Sequence, residues 1–320
     1  MRVLLANQRC CCAGVDRAVQ IVEEALRRFG SPLFVRKEIV HNSHVVTSLR
    51  DQGVVFVDSL DEVPKGAMAV FSAHGVAPSV HAEAEGRQLR VIDATCPLVS
   101  KVHLEVRRFV REGYHIILIG CEGHDEVDGT MGHAPNDITL VENAEQARTK
   151  PIPTGRKLMV LTQTTLGVDD TQIVVDALRD RFGKIELPPS EDICYATQNR
   201  QNAVKAMCER GIGLLLVVGS QNSSNAARLA EIARIRGLPA HLIDGDNELR
   251  AEWLDGMELV GVTGGASTPD YVVQNVVDRL RAFGATDVEL CTTAQEDTVF
   301  RLPEFPDDAP AAVADDAKTA

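Results

Sequence analysis

One layout of residues occurs three times along the 320-residue chain and restricts the fold more than any other pattern. Each copy begins with a cysteine, continues with helix-like apolar periodicity, reaches a glycine and ends in a short apolar run. The copies read "CAGVDRAVQIVEEALRRFG", "CPLVSKVHLEVRRFVREG" and "CYATQNRQNAVKAMCERG" up to the glycine. Apolar residues at i, i+3, i+4 and i+7 predict a helix, and the glycine is typical of a helix C-terminus. The apolar runs that follow predict buried parallel strands.

Polar residues follow these strands at matching distances from the three cysteines, and a second apolar run in each unit also ends in polar residues. The residues concerned are His41 and His74 in the first unit, His124 and Thr164 in the second, and Ser223, Asn225 and Ser267 in the third. Ligands of open α/β sheets bind just beyond the C-terminal ends of strands. We therefore predict an α/β protein of three similar units with small parallel sheets, arranged around an axis with their polar loops aimed at one centre.

The repeat also predicts the unit boundaries. The first α/β unit covers 13–95, the second 96–193, and the third 194–285 together with the N-terminal strand 1–12. Residues 286–320 form a predicted C-terminal extension, disordered after about residue 303 because that part is rich in Pro, Ala and Asp.

Charge and cysteine content narrow the classes of function. The chain carries 33 basic and 46 acidic residues, a net charge of −13, with no basic stripe, which argues against nucleic acid or an anionic membrane as partner. No apolar run is long enough to span a bilayer and no signal peptide is recognisable, so we expect a cytoplasmic protein. In that reducing compartment, the 8 cysteines indicate metal binding or catalysis rather than disulfides.

Three cysteines are candidate metal ligands. In "RCCCAGVDR", Cys12 alone shares the register of Cys96 and Cys194, so Cys10 and Cys11 are expected to point elsewhere. A helix N-terminus favours the thiolate form of a cysteine. Three thiolates from separate units do not form a zinc ribbon. They would hold either a zinc ion with an open site or an iron–sulfur cluster with one iron that lacks a protein ligand. The iron–sulfur cluster is favoured, because it delivers electrons and its iron without a protein ligand is a Lewis acid.

The polar residues around this centre suit an anionic substrate. They are hydrogen-bonding groups with few lysines or arginines nearby in sequence: His41, His74, His124, Thr164, Ser223, Ser224, Asn225 and Ser267. Glu126, in "GHDEVDGTMG", is the one carboxylate singled out, as a proton donor to a substrate hydroxyl. Ser223 to Asn225 ("SSN") also fit a helix N-cap.

These residues and their surrounding motifs resemble those of the 4-hydroxy-3-methylbut-2-enyl diphosphate reductase family of the non-mevalonate isoprenoid pathway. The stretches that carry the resemblance cover roughly residues 2–280 in order, and they include "CAGVDRA", "FSAHGV", "DATCPLVSKVH", "GHDEVDGTMG", "LTQTTLGVDDT", "DICYATQNRQ", "VGSQNSSN" and "GVTGGASTPD". The resemblance implies a pseudo-threefold trefoil around a central cavity, with one [4Fe–4S] cluster per chain held by Cys12, Cys96 and Cys194. It also implies a diphosphate site made of His41, His74, His124, Ser223, Ser224, Asn225 and Ser267, with Glu126, Thr164 and His124 as catalytic residues.

The implied reaction is a two-electron reductive dehydroxylation to isopentenyl and dimethylallyl diphosphate plus water, with a ferredoxin or flavodoxin as electron donor. The sequence departs from the family where Gly-Phe usually precedes the first cluster cysteine, since Cys10-Cys11 stands there. Two extra thiols near a cluster, and Cys121 close to His124, have no assigned role. Two other classes stay open: a zinc-dependent hydrolase or lyase, and a non-catalytic scaffold or sensor, which would have no need of Glu126.

Overall fold

The computed structural model describes residues 1–306 of the chain. The helices of this range are α1 (Ala13–Phe29), α2 (Ser43–Asp51), α3 (Pro78–Gly86), α4 (Pro97–Arg111), α5 (Asp125–Met131), α6 (Ala144–Thr149), α7 (Val168–Phe182), α8 (Tyr195–Glu209), α9 (Ser224–Ile235) and α10 (Asp270–Ala282). The strands are β1 (Arg2–Ala6), β2 (Leu33–Arg36), β3 (Val54–Val57), β4 (Met68–Phe71), β5 (Arg90–Asp93), β6 (Tyr114–Ile119), β7 (Ile138–Val141), β8 (Lys157–Thr162), β9 (Leu214–Val218), β10 (Ala240–Ile243), β11 (Leu259–Gly264) and β12 (Asp287–Cys291).

The strands form three small sheets, and every pairing between them is parallel. The strand orders are β3-β2-β4-β5, β7-β6-β8 and β10-β9-β11-β1-β12. The predicted fold class is therefore confirmed: three α/β units, each with its own parallel sheet, form a trefoil. Within residues 1–306, no helix combines the length and the apolarity that a transmembrane span requires.

The three repeated helices follow the predicted pattern. Each buries one apolar face against its unit, as α1 does with Val15, Ala18, Ile21, Val22 and Ala25. The glycine that ends each repeat adopts the left-handed backbone conformation, with φ of 75° at the first and 79° at the third. A side chain with a Cβ is disfavoured there, which explains why each helix stops at a glycine.

The predicted C-terminal extension begins inside the third sheet rather than outside it. Strand β12 pairs with β1, with Leu5 opposite Leu290 and Ala6 opposite Cys291. Most side chains of β12 are exposed because it is the edge strand of the sheet, and only Cys291 is buried. Sequence alone did not indicate this strand, since an exposed edge strand lacks the continuous apolar run of the buried ones.

Residues 292–306 form an irregular strap that crosses the cysteine-bearing side of the molecule. The Gln8 side chain donates to the carbonyl of Ala294, and Arg17 Nε donates to the carbonyl of Arg301 at 2.8 Å. Phe305 lies within the segment predicted to be disordered, yet its ring packs 4.4 Å from the Arg28 guanidinium and against the core beside α1. The rest of that prediction, residues 307–320, falls outside the described residues.

Candidate active site

Each of the three predicted cysteine ligands is the N-cap residue of a repeated helix, and the backbone of each is bound to a unit other than the one that contains that helix. The backbone N–H groups donate to carbonyls in loops that follow β11, β4 and β8. The pairs are Cys12 to Ala266 at 2.9 Å, Cys96 to Ala73 at 2.9 Å, and Cys194 to Thr164 at 3.1 Å. The third unit thus holds the first cysteine, the first unit holds the second, and the second unit holds the third. This closed cycle brings the thiols to one centre.

The three thiols line a single cavity together with every other residue predicted for the site. The predicted residues on its wall are His41, His74, His124, Glu126, Thr164, Ser223, Ser224, Asn225 and Ser267. Each lies beyond the C-terminal end of a strand, where the parallel sheets of the three units converge. Of the residues in range 1–306 that line this cavity, none is a lysine or an arginine.

Burial, and not the helix N-terminus, dominates the acidity of the three thiols. Desolvation raises the pKa of Cys96 to about 12 and that of Cys194 to about 11, and it also raises the pKa of Cys12. Backbone N–H groups of the helix ends lower these pKa values only in part. Burial therefore disfavours the expected thiolates unless a positive partner lies beside them, because a buried anion needs one.

The cavity fits a metal cluster held by three thiolates. Gly14, in the first turn of α1, leaves room beside the thiols: a Cβ there would lie 2.7 Å from Cys96 Sγ and 3.8 Å from Cys12 Sγ. Soft thiolates select zinc or iron–sulfur clusters, and three of them leave one iron of a four-iron cluster without a protein ligand. The other two cysteines of the triplet do not line the cavity. The Cys10 carbonyl accepts from Arg200, and Cys11 borders a separate cleft.

Gly14→Ala is expected to reduce the iron bound per chain without unfolding the protein. The added methyl group would push Cys96 Sγ out of place, whereas alanine favours the helix itself by about 1 kcal/mol over glycine. Iron and sulfide content after anaerobic reconstitution, with a thermal melt of each variant, measures both effects. Gly86→Ala in α3 is the matched control, since nothing lies within 4 Å of its added Cβ. Full iron content in Gly14→Ala would contradict this description of the cavity.

Three histidines form one wall of the cavity. The His41 and His74 rings stack with centroids 4.1 Å apart, and the His124 ring stands edge-on to both, at 5.2 and 5.7 Å. Desolvation lowers the pKa of His124 to about 4 and that of His74 well below its usual value, so both rings are neutral at pH 7. His124 Nδ1 accepts the N–H of Glu126 at 3.1 Å, which leaves the ring proton on Nε2 as a donor.

Hydroxyl and amide groups at the N-terminus of α9 and in the loop after β11 form another part of the cavity wall. Ser223 caps this helix by accepting the N–H of Ala226 at 3.3 Å, as the "SSN" sequence predicted. Asn225 Oδ1 accepts the N–H of Ala266 at 2.9 Å, and the Ser267 hydroxyl donates to the carbonyl of His41 at 2.9 Å. The free N–H groups and the positive end of the helix dipole make such a helix start favourable for a phosphate.

Glu126 and Thr164 form a buried pair at the same cavity. Thr164 donates its backbone N–H to Oε1 at 2.7 Å and its hydroxyl to Oε2 at 2.9 Å. Only 3% of the Glu126 surface is exposed. Desolvation raises the pKa of this carboxyl group to about 7, although the two hydrogen bonds from Thr164 lower it. A carboxyl group with this pKa gives up a proton readily near neutral pH.

The structure adds site residues that sequence reasoning missed. Phe300, in the strap, and Tyr195, at the start of α8, both line the cavity. Arg200 is almost fully buried on α8; it contacts Glu296 at 3.1 Å and lowers the pKa of Cys12. The sequence offered one signal for Arg200: an arginine about two turns after the predicted ligand Cys194, on the face of α8 that is expected to be buried. Nothing in the irregular sequence around Phe300 indicated its position.

The chain is similar to known proteins over most of its length. The family model described as "LytB protein" matches residues 3–281. The 4-hydroxy-3-methylbut-2-enyl diphosphate reductase of Rhodococcus jostii is 55% identical over 303 residues, which cover 94% of this chain and 90% of the relative. The reductase of the same name from Leifsonia xyli is 54% identical over 304 residues, which cover 95% and 90%.

Two solved structures are similar as well. The E-1-hydroxy-2-methyl-but-2-enyl-4-diphosphate reductase of Plasmodium falciparum superposes with a TM-score of 0.91 at 40% identity, covering 94% of this chain and 95% of that one. A structure of (E)-4-hydroxy-3-methyl-but-2-enyl diphosphate reductase has a TM-score of 0.61 at 30% identity, covering 88% of this chain and 100% of that one.

Proposed function

The chain belongs to the LytB protein family, and from this membership we propose that it is a 4-hydroxy-3-methylbut-2-enyl diphosphate reductase. The reaction removes the allylic hydroxyl of (E)-4-hydroxy-3-methylbut-2-enyl diphosphate. Two electrons and two protons enter, water leaves, and isopentenyl or dimethylallyl diphosphate forms. The observation that carries the proposal is the placement of Glu126 and Thr164 in one cavity with three convergent thiols and three histidines.

The proposed cofactor is one [4Fe–4S] cluster per chain, held by Cys12, Cys96 and Cys194. Such a cluster supplies electrons and a Lewis-acidic iron without a protein ligand. The chain's own contribution at this end of the cavity is to exclude water and to fix the three sulfur atoms, through the backbone N–H donations that join neighbouring units. Arg200, buried beside Cys12, provides a positive charge that favours the anionic sulfur ligands.

The diphosphate is proposed to bind between the histidines and the start of α9. His124 donates through Nε2, while Ser223, Ser224, Asn225 and Ser267 offer hydroxyl and amide groups, and His41 and His74 complete the wall. No lysine or arginine of residues 1–306 lines this cavity, so hydrogen-bond donors, the helix dipole and the histidines carry the binding. An arriving diphosphate also favours protonation of the histidines, because an opposite charge stabilises the imidazolium form.

Glu126 is proposed as the proton source for the departing hydroxyl group. Its carboxyl group is protonated in part at neutral pH, and Thr164 holds both of its oxygens. The Thr164 hydroxyl also lies in the cavity, where it orients the substrate hydroxyl or passes the proton on. Burial keeps this proton from exchanging freely with water, so it is available at the reacting oxygen.

An anaerobic turnover assay tests the proposed function. Protein reconstituted with iron and sulfide, a reduced viologen dye and the allylic diphosphate should yield isopentenyl and dimethylallyl diphosphate, with two electrons consumed per product. A zinc-dependent hydrolase or lyase would consume no electrons. That alternative is tested because His41, His74 and Asp125 place ligand atoms within 4.8 Å of one another. Turnover that requires zinc and no reductant would contradict the reductase assignment and support a zinc-dependent hydrolase or lyase.

A further inference from the structure

Helix α4 carries a cationic stripe on its outer face, although the chain as a whole has a net charge of −13. Leu104, Arg107, Arg108 and Arg111 lie at positions i, i+3, i+4 and i+7, and all four are exposed. Leu104 is 57% exposed, which is high for a leucine. We name these four residues the α4 stripe. An exposed apolar side chain beside arginines is typical of a protein-binding surface.

Two charges of the α4 stripe are not neutralised. Arg108 is paired with Glu112 at 2.8 Å. Arg107 and Arg111, in contrast, have no carboxylate partner within 4.0 Å in the part of the chain that the structure describes, and Arg111 Nε donates only to the Arg107 carbonyl at 3.2 Å. Two open arginines at the C-terminal end of a helix are available to an acidic partner.

Clefts lie on both sides of Leu104. One is lined by Arg17, Pro97, Lys101 and Arg108 among others, and the second by Arg107, Val110, Arg111 and His133. Leu104 borders both, so it forms the ridge between them. A partner that covers this ridge would bury the leucine at its centre and meet arginines on either side.

The first of these clefts reaches from the stripe to the sequence neighbours of a proposed cluster ligand. Pro97 borders the first cleft, and Cys96, its neighbour in sequence, lines the central cavity. Arg17 closes the same cleft by donating to the carbonyls of Ala94 at 3.3 Å and Thr95 at 3.0 Å. The end of this cleft at Thr95 and Pro97 is therefore one residue from Cys96, while Arg107 and Arg111 lie roughly 16 and 22 Å further along α4 by the rise of a helix. A carrier that covers both the stripe and this cleft would extend its contact towards the thiols.

The pseudo-threefold repeat provides an internal comparison, because three equivalent helices begin at the three cysteines. The exposed face of α1 carries Asp16 and Glu23, and both of its C-terminal arginines bind Glu24. At the C-terminal end of α8, the exposed C-cap residue Arg210 is bound to Glu289. Within residues 1–306, α4 is thus the only one of the three whose outer face presents unpaired cations.

We propose that the α4 stripe is the docking surface of the electron donor, and that the donor is a small one-electron carrier protein with an acidic surface around its redox centre. The inference rests on the proposed function. Each reduced donor passes one electron inward and leaves oxidised. Two such events, with two protons, replace the allylic C–O bond of the substrate by a C–H bond, which gives the alkenyl diphosphate and water. The local positive charge overcomes the repulsion between an acidic donor and this acidic chain.

The test is the double charge reversal Arg107→Glu/Arg111→Glu in the reconstituted holoenzyme. The matched control is Arg279→Glu/Arg281→Glu, which reverses two exposed arginines in the last turn of α10. Each protein is assayed with a reduced viologen dye and with a reduced [2Fe–2S] ferredoxin, and ferredoxin binding is measured without substrate at low and high salt. We expect the stripe variant to keep its dye-driven rate within twofold and to lose at least tenfold in kcat/KM for ferredoxin. Its binding should also become less sensitive to salt, as expected when charge pairs are removed.

The outcomes separate the two proposals. Unchanged ferredoxin kinetics and binding in the stripe variant would overturn the docking surface while the dye assay still supports the reductase. An equal loss in the control would show an effect of net charge and would also overturn it. If the wild type converts no substrate with either reductant, the proposed function fails. The salt-dependent binding measurement then still decides whether the stripe binds an acidic carrier.

Discussion

Glu126→Gln is expected to lower kcat for dehydroxylation by about 10²–10⁴-fold, the usual contribution of a positioned general acid. Glutamine keeps the size of the side chain, and its amide oxygen can accept one of the two hydrogen bonds from Thr164, but it has no acidic proton to give. The cluster content and the binding of the diphosphate should remain close to those of the wild type. Steady-state kinetics with a reduced dye, together with iron quantitation, measure these quantities separately.

The pH profile identifies this role more specifically than the rate alone. The pKa of Glu126 is raised to about 7 by burial, so the protonated form that donates is lost as the pH rises through 7. The wild-type rate should therefore fall above pH 7, and Glu126→Gln should lack this limb. Glu122→Gln is the control, because this exposed carboxylate lies in the loop that leads into α5 and does not line the cavity. A wild-type kcat in the Glu126→Gln variant would show that this carboxyl group does not donate the proton.

Serine in place of Cys12, Cys96 or Cys194 is expected to abolish the brown chromophore and reduce dehydroxylation to the background rate. Serine is a hard oxygen ligand and a poor substitute for a soft thiolate at iron. The loss should be similar at all three positions, because the three cysteines occupy equivalent positions in the repeat and the same cavity. Visible spectra, iron and sulfide content and turnover, all under anaerobic conditions, report the effect.

Cys10→Ser and Cys11→Ser are the matched controls for these variants. Both cysteines are adjacent to Cys12 in sequence, but neither lines the cavity. Cys11 packs against the core beside α1. We expect both variants to keep the chromophore and the activity. If either control lost the cluster and Cys12→Ser kept it, the first ligand would be Cys10 or Cys11 in place of Cys12. That result would contradict the register of the threefold repeat.

The positions of the predicted site residues could be read from the sequence because they are coupled to the repeat. A cysteine before a helix and a polar residue after a strand have fixed places in an α/β unit, so three aligned copies place their loops at one centre. The acidity of the thiols could not be read in this way. Helix N-termini lower a cysteine pKa, but desolvation depends on how tightly the three units close, and here it dominates.

Two other features also required the structure. Phe300 reaches the cavity only because the strap of residues 292–306 runs back across the molecule, and an irregular segment carries no periodicity that would predict its path. The α4 stripe could not be recognised in "HLEVRRFVR", because arginines and apolar residues are interspersed there. It becomes visible only when the burial of Val102, Val106 and Phe109 shows which face of the helix points outward.

The central claim, that three units converge to hold an iron–sulfur cluster, is tested most directly on the wild-type protein. The measurement is the iron, zinc and acid-labile sulfide content of anaerobically reconstituted protein, taken together with its visible spectrum. The account predicts brown protein with about four iron and four sulfide per chain, as a [4Fe–4S] cluster requires. Colourless protein that holds stoichiometric zinc after the same reconstitution would contradict it.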